Sequence, residues 1–192
     1  MHPTIFREFE RLVGELRPRG RILEIGAVPR PNTLLAIPSI AEQDRVGINL
    51  IGGYEYGGFS ILKGNANSMP MFLDASFDCV LSNATLEHDC WFWKTCAEIR
   101  RILKPGALAV IGVPGFTVEA GLQSLKIPSP WPVDEFRDWQ ASCLTFRYHG
   151  APYDYYRFSE NGVREAIFEC FRDISIKAVM MPPRLIGVGY RN

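Results

Sequence analysis

The sequence predicts an α/β fold with a mostly parallel sheet, and three observations carry that reading. Hydrophobic residues make up 47% of the 192 residues, enough apolar surface to form a core. The stretch from Phe77 to Pro114 reads as strand, loop, helix, turn and strand. Earlier in the chain, RILEIGA at 21–27 and DRVGINL at 44–50 are further short apolar runs, each followed by loop residues. Buried strands joined by helices make right-handed crossovers in a parallel sheet. Ligands of such sheets bind beyond the carboxyl ends of the strands.

Taken in order, Ile5, Phe9, Leu12 and Leu16 recur at helical spacing, so an amphipathic helix precedes Pro18 and Gly20. Arg21–Ala27 is the first strand. The crossover after it holds Pro29, Pro31 and Pro38, which confines any helix to about Thr33–Ile37. Asp44–Leu50 is the second strand. Gly52, Gly53, Gly57 and Gly58 around Tyr54 and Tyr56 predict a flexible loop, and Phe59–Lys63 a third strand. Phe77–Leu81 is the fourth. Asp89 is placed to cap the next helix, whose face is Phe92, Cys96, Ile99 and Leu103. Lys104-Pro105-Gly106 stops that helix, and Ala107–Val113 is the fifth strand. Residues 115–150 form an aromatic and Pro-rich insertion, with Trp131 and Trp139 among its rings. It would wall a pocket or act as a lid, or else form a packing or homodimer surface. Ser159 caps a last helix with Val163, Ala166, Ile167 and Cys170 on one face. Asp173–Met180 and Leu185–Tyr190 read as an antiparallel pair joined at Pro182-Pro183, and the chain reads as one domain.

Charge narrows the function classes. Lys and Arg number 21 and Asp and Glu 21, so the net charge of +0 leaves no electrostatic footprint for nucleic acid or an anionic membrane. The five cysteines, at 79, 90, 96, 143 and 170, form no CxxC pair, which fits free thiols in a reducing cytoplasm. The N-terminus carries charges throughout its apolar pattern, unlike a signal peptide, and no apolar run reaches membrane-span length. No metal-ligand cluster stands out.

Three marks, SFDCVLSNATLEH, EIRRILKPG and DYYRFSENGV, together resemble the class I S-adenosylmethionine-dependent methyltransferases, in particular the small-molecule type 11 group. The resemblance implies a three-layer Rossmann-like methyltransferase fold. Its seven-stranded sheet has the order 3-2-1-4-5-7-6, with strand 7 antiparallel. It also implies S-adenosylmethionine (SAM) as cofactor. Glu24 and Gly26 match the start of the family's glycine loop, which lies against the methionyl part of the cofactor. The continuation, Ala27-Val28-Pro29-Arg30-Pro31, departs from it by lacking the later glycines. Asn49, followed by Leu50, stands where a carboxylate binds the ribose. Asn65-Ala66-Asn67 stands where an acid lies near the adenine, again with an amide for an acid. Both asparagines could instead simply cap strand ends and turns. Asn83–His88 matches the loop that runs past the transferable methyl group.

For the chemistry, His88 and His149 are the candidate bases toward an oxygen or nitrogen acceptor. Glu87-His88 could equally start the following helix and fix the loop. Tyr153, Asp154, Tyr155 and Arg157 are candidate contacts to a small-molecule acceptor, although Asp154 and Arg157 could instead pair with each other. The altered glycine loop, Asn49 and Asn65 leave a second reading open, a methyltransferase fold that binds but transfers nothing. A nicotinamide oxidoreductase is disfavoured because GxGxxG is absent.

Overall fold

The computed structural model describes residues 1–116, 153–180 and 183–192. Helix α1 (Pro3–Leu16) opens the chain and precedes β1 (Arg21–Ile25), β2 (Asp44–Asn49), β3 (Tyr54–Tyr56), β4 (Phe59–Lys63) and β5 (Phe77–Asn83). Helix α2 (Phe92–Ile102), β6 (Leu103–Pro114), a short α3 (Glu160–Gly162), β7 (Phe171–Val179) and β8 (Arg184–Arg191) complete it. The strands form one sheet in the order β3-β4-β2-β1-β5-β6-β8-β7. The pairs β2–β4, β1–β2, β1–β5 and β5–β6 are parallel, whereas β3–β4, β6–β8 and β7–β8 are antiparallel.

This is the expected order 3-2-1-4-5-7-6 with one strand added at the edge. The addition is β3, inside the stretch read from sequence as a flexible loop. Tyr54, Glu55 and Tyr56 pair with Ile61, Ser60 and Phe59 in a tight hairpin, with Gly57 at φ 56° and Gly58 at φ 81° making the reversal. Such an edge strand buries no continuous apolar face, so no periodicity announces it.

Alternation along the strands builds two cores, one on each side of the sheet. Leu23 and Ile25 of β1, with Ala107, Ala109, Ile111 and Val113 of β6, face α2 through Cys96, Ile99 and Ile102. Ile22 of β1, Cys79 and Leu81 of β5, and Leu108 and Val110 of β6 face α1 through Ile5, Phe9 and Val13. Each fully buried aliphatic side chain contributes roughly 1.5–3 kcal/mol.

Three local expectations need correction. The short helix expected at 33–37 is two consecutive 3-10 turns, Leu34–Ala36 and Pro38–Ile40, because Pro38 restarts the chain at the first position of the second. Asp89 does not cap α2 at its first turn. Its Oδ1 accepts the Trp91 N–H at 2.9 Å, and its Oδ2 accepts from Thr95 and Asn67 at 2.7 and 2.6 Å, so it ties the helix start to the loop after β4. Ser159 does cap α3, accepting the Gly162 N–H at 3.0 Å. The helix then widens into a π-helical stretch, Val163–Ile167, with Phe168 N–H donating to the Val163 carbonyl. The widening turns Val163, Ile167 and Phe168 inward and leaves Ala166 and Cys170 outside.

Candidate active site

The carboxyl ends of the parallel strands lie along one edge of the sheet, and the loops there fall into two groups. The first surrounds β1, β2 and β4. Gly26 closes β1 with φ 83°, a conformation glycine adopts without strain, and its N–H donates to the Ile48 carbonyl at 2.9 Å. A Cβ at Gly26 would lie 2.1 Å from the Thr85 hydroxyl, so the loop after β5 fills the space that a side chain would need. Ala27, 1% exposed, presses onto β2 at Gly47, where a Cβ would come within 2.5 Å of the Ala27 methyl. Asn49 completes this seat. Its Nδ2 donates to the Ala27 carbonyl at 2.8 Å, and its Oδ1 accepts the Ile51 N–H at 3.1 Å.

Glu24 lies below this loop, 4% exposed. Its Oε2 accepts from the Thr33 hydroxyl at 2.6 Å and from the Leu35 N–H at 3.0 Å. Burial pushes its pKa up, opposed by those hydrogen bonds. The side chain therefore fastens the crossover turn from beneath. At the end of β4, Asn65 Oδ1 accepts the Asn67 N–H at 2.9 Å, an Asx turn. Asn67 donates from Nδ2 to Asp89 and Thr95, and Ala66 packs against the core. Beside these loops, Leu50 and Ile51 stand 66% and 73% exposed and form an apolar rim.

The second group lies over β5, β6 and the start of β8. Asn83 ends β5, with its Oδ1 over Gly112 of β6. Ala84 follows in the left-handed region at φ 53°, its N–H held by the Gly112 carbonyl at 2.9 Å. Such a conformation costs a residue with a side chain roughly 1–2 kcal/mol, and strain of this kind collects at functional loops. Glu87 is fully buried. Its Oε1 is 3.4 Å from Arg184 and 3.9 Å from His88 Nε2, and its Oε2 meets no hydrogen-bond donor among the described residues. Burial raises the Glu87 pKa, countered by the charges of His88, Arg184 and Arg157. His88 Nδ1 lies 2.5 Å from the Tyr153 carbonyl, which can only accept, so Nδ1 carries the proton.

The segment from Tyr153 to Phe158 straps this group down. The N–H groups of Tyr155 and Tyr156 donate to the Glu87 carbonyl, and the Phe158 N–H donates to that of Pro114. Asp154 and Arg157 pair bidentately at 2.5 and 2.7 Å, with the Asp154 side chain 2% exposed. That contact holds the Arg157 pKa above its ordinary value. Tyr153 and Tyr155 stack at 5.9 Å with rings 16° apart and remain exposed.

The structure thus brings Gly26, Ala27, Asn49, Asn65 and Asn83 to one edge of the sheet, with His88 and residues 153–157 beside them. It turns Glu24, Asp154 and Arg157 inward to protein partners. His149 and most of the aromatic insertion lie outside the described residues. Sequence reasoning passed over Thr85, which fills the space against Gly26, and Arg184, which faces Glu87. Thr85 stands inside the quoted ATLEH motif, whereas nothing local marks Arg184. Among the described residues no group of three His, Cys, Asp or Glu side chains could hold a metal ion, and no helix is long and apolar enough to cross a membrane.

Comparison with known proteins gives this geometry a context. A family model described as "Methyltransferase domain" matches residues 40–111. Curated proteins gave no significant sequence match. Among solved structures, a SAM-dependent methyltransferase from Thermotoga maritima superposes with a TM-score of 0.64 at 17% identity, covering 97% of this chain and 89% of that one. The 1,6-didemethyltoxoflavin-N1-methyltransferase of Burkholderia thailandensis, with 1,6-didemethyltoxoflavin and S-adenosylhomocysteine bound, gives 0.62 at 17% identity over 97% and 78%. A phosphoethanolamine N-methyltransferase 2 from Haemonchus contortus gives 0.62 at 14% identity over 97% of this chain and 52% of that one. Residues 40–111 therefore match the methyltransferase domain family model, within a chain that shares the fold of solved SAM-dependent methyltransferases.

Proposed function

We propose that the protein transfers a methyl group from SAM to an oxygen or nitrogen of a small molecule. The observation that carries this reading is the convergence of Gly26, Asn49 and the Asn65–Asn67 turn beside an exposed apolar rim. These are three of the loops at which the resemblance expects the adenosyl and methionyl parts of the cofactor. The residues fit that group. Leu50 and Ile51, 66% and 73% exposed, offer apolar surface suited to a purine face beside the loop that closes β1. In this reading Gly26 and Ala27 border the methionyl part, Leu50 and Asn65–Asn67 the adenine, and Asn83 the end nearest the acceptor. When bound, the cofactor supplies an electrophilic methyl on a sulfonium whose sulfur becomes neutral as the methyl leaves.

The task left to the protein is to align the acceptor and remove its proton. Alignment supplies most of the rate through saved entropy. The rigid strap at 153–158 and the exposed Tyr153–Tyr155 stack support an acceptor of partly apolar character. His88, held through Nδ1 against the Tyr153 carbonyl, is the candidate base. Titration calorimetry with S-adenosylhomocysteine tests the reading. Saturable binding supports it, and no detectable heat at millimolar ligand rejects it. Tight binding with no transfer to any of a panel of small amines and phenols would favour the second reading, a binding protein on a methyltransferase fold, toward which the internally bonded Asn49 amide points.

A further inference from the structure

We infer that Asn49 is a positioning residue for the loop after β1 and not a ligand of the cofactor's ribose. The inference rests on the SAM-binding reading above. The chemistry of its neighbours fixes the orientation of the amide. The Ala27 carbonyl can only accept and the Ile51 N–H can only donate, so Nδ2 faces the first at 2.8 Å and Oδ1 the second at 3.1 Å. The amide is thus a bridge between the β1 loop and the β2 loop.

Two further contacts from the same strand act on the same two residues. The Ile48 carbonyl accepts the Gly26 N–H at 2.9 Å. Gly47 leaves room for the Ala27 methyl, since a Cβ there would approach it to 2.5 Å. Three consecutive residues of β2 therefore hold Gly26-Ala27 from one side, while Thr85 fills the space against Gly26 on the other. A loop that lacks the later glycines gains its shape from these neighbours instead of from its own backbone freedom. In this arrangement a carboxylate at position 49 is the wrong group. It cannot donate to the Ala27 carbonyl and would set a negative charge against that oxygen.

The two roles predict opposite outcomes for Asn49→Asp. A ribose ligand would gain strength from the charged acceptor, so S-adenosylhomocysteine would bind more tightly. A clamp would be lost, so binding should weaken about tenfold or more and the ligand-free protein should unfold at lower denaturant. Asn49→Ala, which removes the bridge without adding charge, should weaken binding less than Asn49→Asp does. Calorimetry with S-adenosylhomocysteine at pH 7.5 and urea unfolding of the ligand-free proteins give both readouts. Tighter binding by Asn49→Asp, with unchanged urea stability, overturns the inference. If Asn49→Asp fails to fold while Asn49→Ala folds, the clamp is supported in its strongest form. In the wild type the Ile51 amide should exchange with solvent at least tenfold more slowly than an unbonded amide, and random-coil exchange there overturns the inference without any variant. Absence of binding by the wild type would reject the SAM reading, yet the stability and exchange measurements would still decide the clamp.

Discussion

The two rims at the carboxyl edge of the sheet are built from opposite chemistry. The rim around β1, β2 and β4 is tied largely through side-chain amides. Its side-chain hydrogen bonds come from the amides Asn49, Asn65 and Asn67, and Leu50 and Ile51 stand exposed. The rim over β5 and β6 holds buried charges. A fully buried Glu87 faces Arg184, and Asp154 is buried against Arg157. The contrast teaches where stability and ligand affinity reside. Charges removed from water demand partners, so the second rim locks its own loop. A rim with exposed apolar side chains keeps surface that a ligand can cover.

That division predicts which substitutions move stability and which move affinity. The largest effect falls on the charged rim. Glu87→Ala removes a fully buried carboxylate from its contacts with Arg184 and His88 and should cost about 3–5 kcal/mol by urea unfolding. The affinity of the remaining folded protein for S-adenosylhomocysteine should be unchanged, and a tenfold loss of affinity would merge the two rims into one functional unit. Next, Gly26→Ala places a Cβ 2.1 Å from the Thr85 hydroxyl at a φ of 83°. Left-handed strain and overpacking together cost about 3 kcal/mol. Adding Thr85→Ala should recover the steric part alone, and complete recovery in that double variant would show that backbone strain contributes nothing.

Leu50→Ser comes third. With the side chain 66% exposed, urea stability should stay within about 0.5 kcal/mol of the wild type. S-adenosylhomocysteine affinity should fall about tenfold through lost apolar contact. Equal affinity would remove the apolar rim from the proposed site. The smallest effect is a change of slope with pH. The folded-state pKa of Glu24 is raised above the ordinary 4.5, chiefly by burial. The folded state therefore holds the proton more tightly than the unfolded state. Its contribution to stability is present below 4.5 and is lost as pH rises from there through the raised value. Glu24→Gln should flatten this decline, so its stability relative to the wild type should increase with pH across that window. A difference independent of pH would mean that Glu24 titrates alike in both states.

Much of the fold was legible because it is local. The β5-α2-β6 unit announces itself through continuous apolar strands, helical spacing and the Lys104-Pro105-Gly106 stop. The expected strand order holds apart from β3, whose three residues bury no face that periodicity could reveal. The candidate site was legible by position and not by role. Gly26, Asn49 and Asn65 stand where the resemblance puts them, at the ends of β1, β2 and β4. What each does depends on partners far away in the chain. Asn49 reaches the Ala27 carbonyl 22 residues back, and Glu87 meets Arg184 97 residues on.

The sequence by itself determined the alternation of elements, the two-sided core and the neutral amides at the first rim. Side-chain period, turn chemistry and residue charge are properties of neighbouring residues. Only the tertiary structure decided which polar groups are left to meet a ligand. Hydrogen-bonding capacity is shared among whatever atoms the fold brings within about 3 Å. A carboxylate such as Glu24, or an amide such as Asn49, looks available until the loop that engages it is in place.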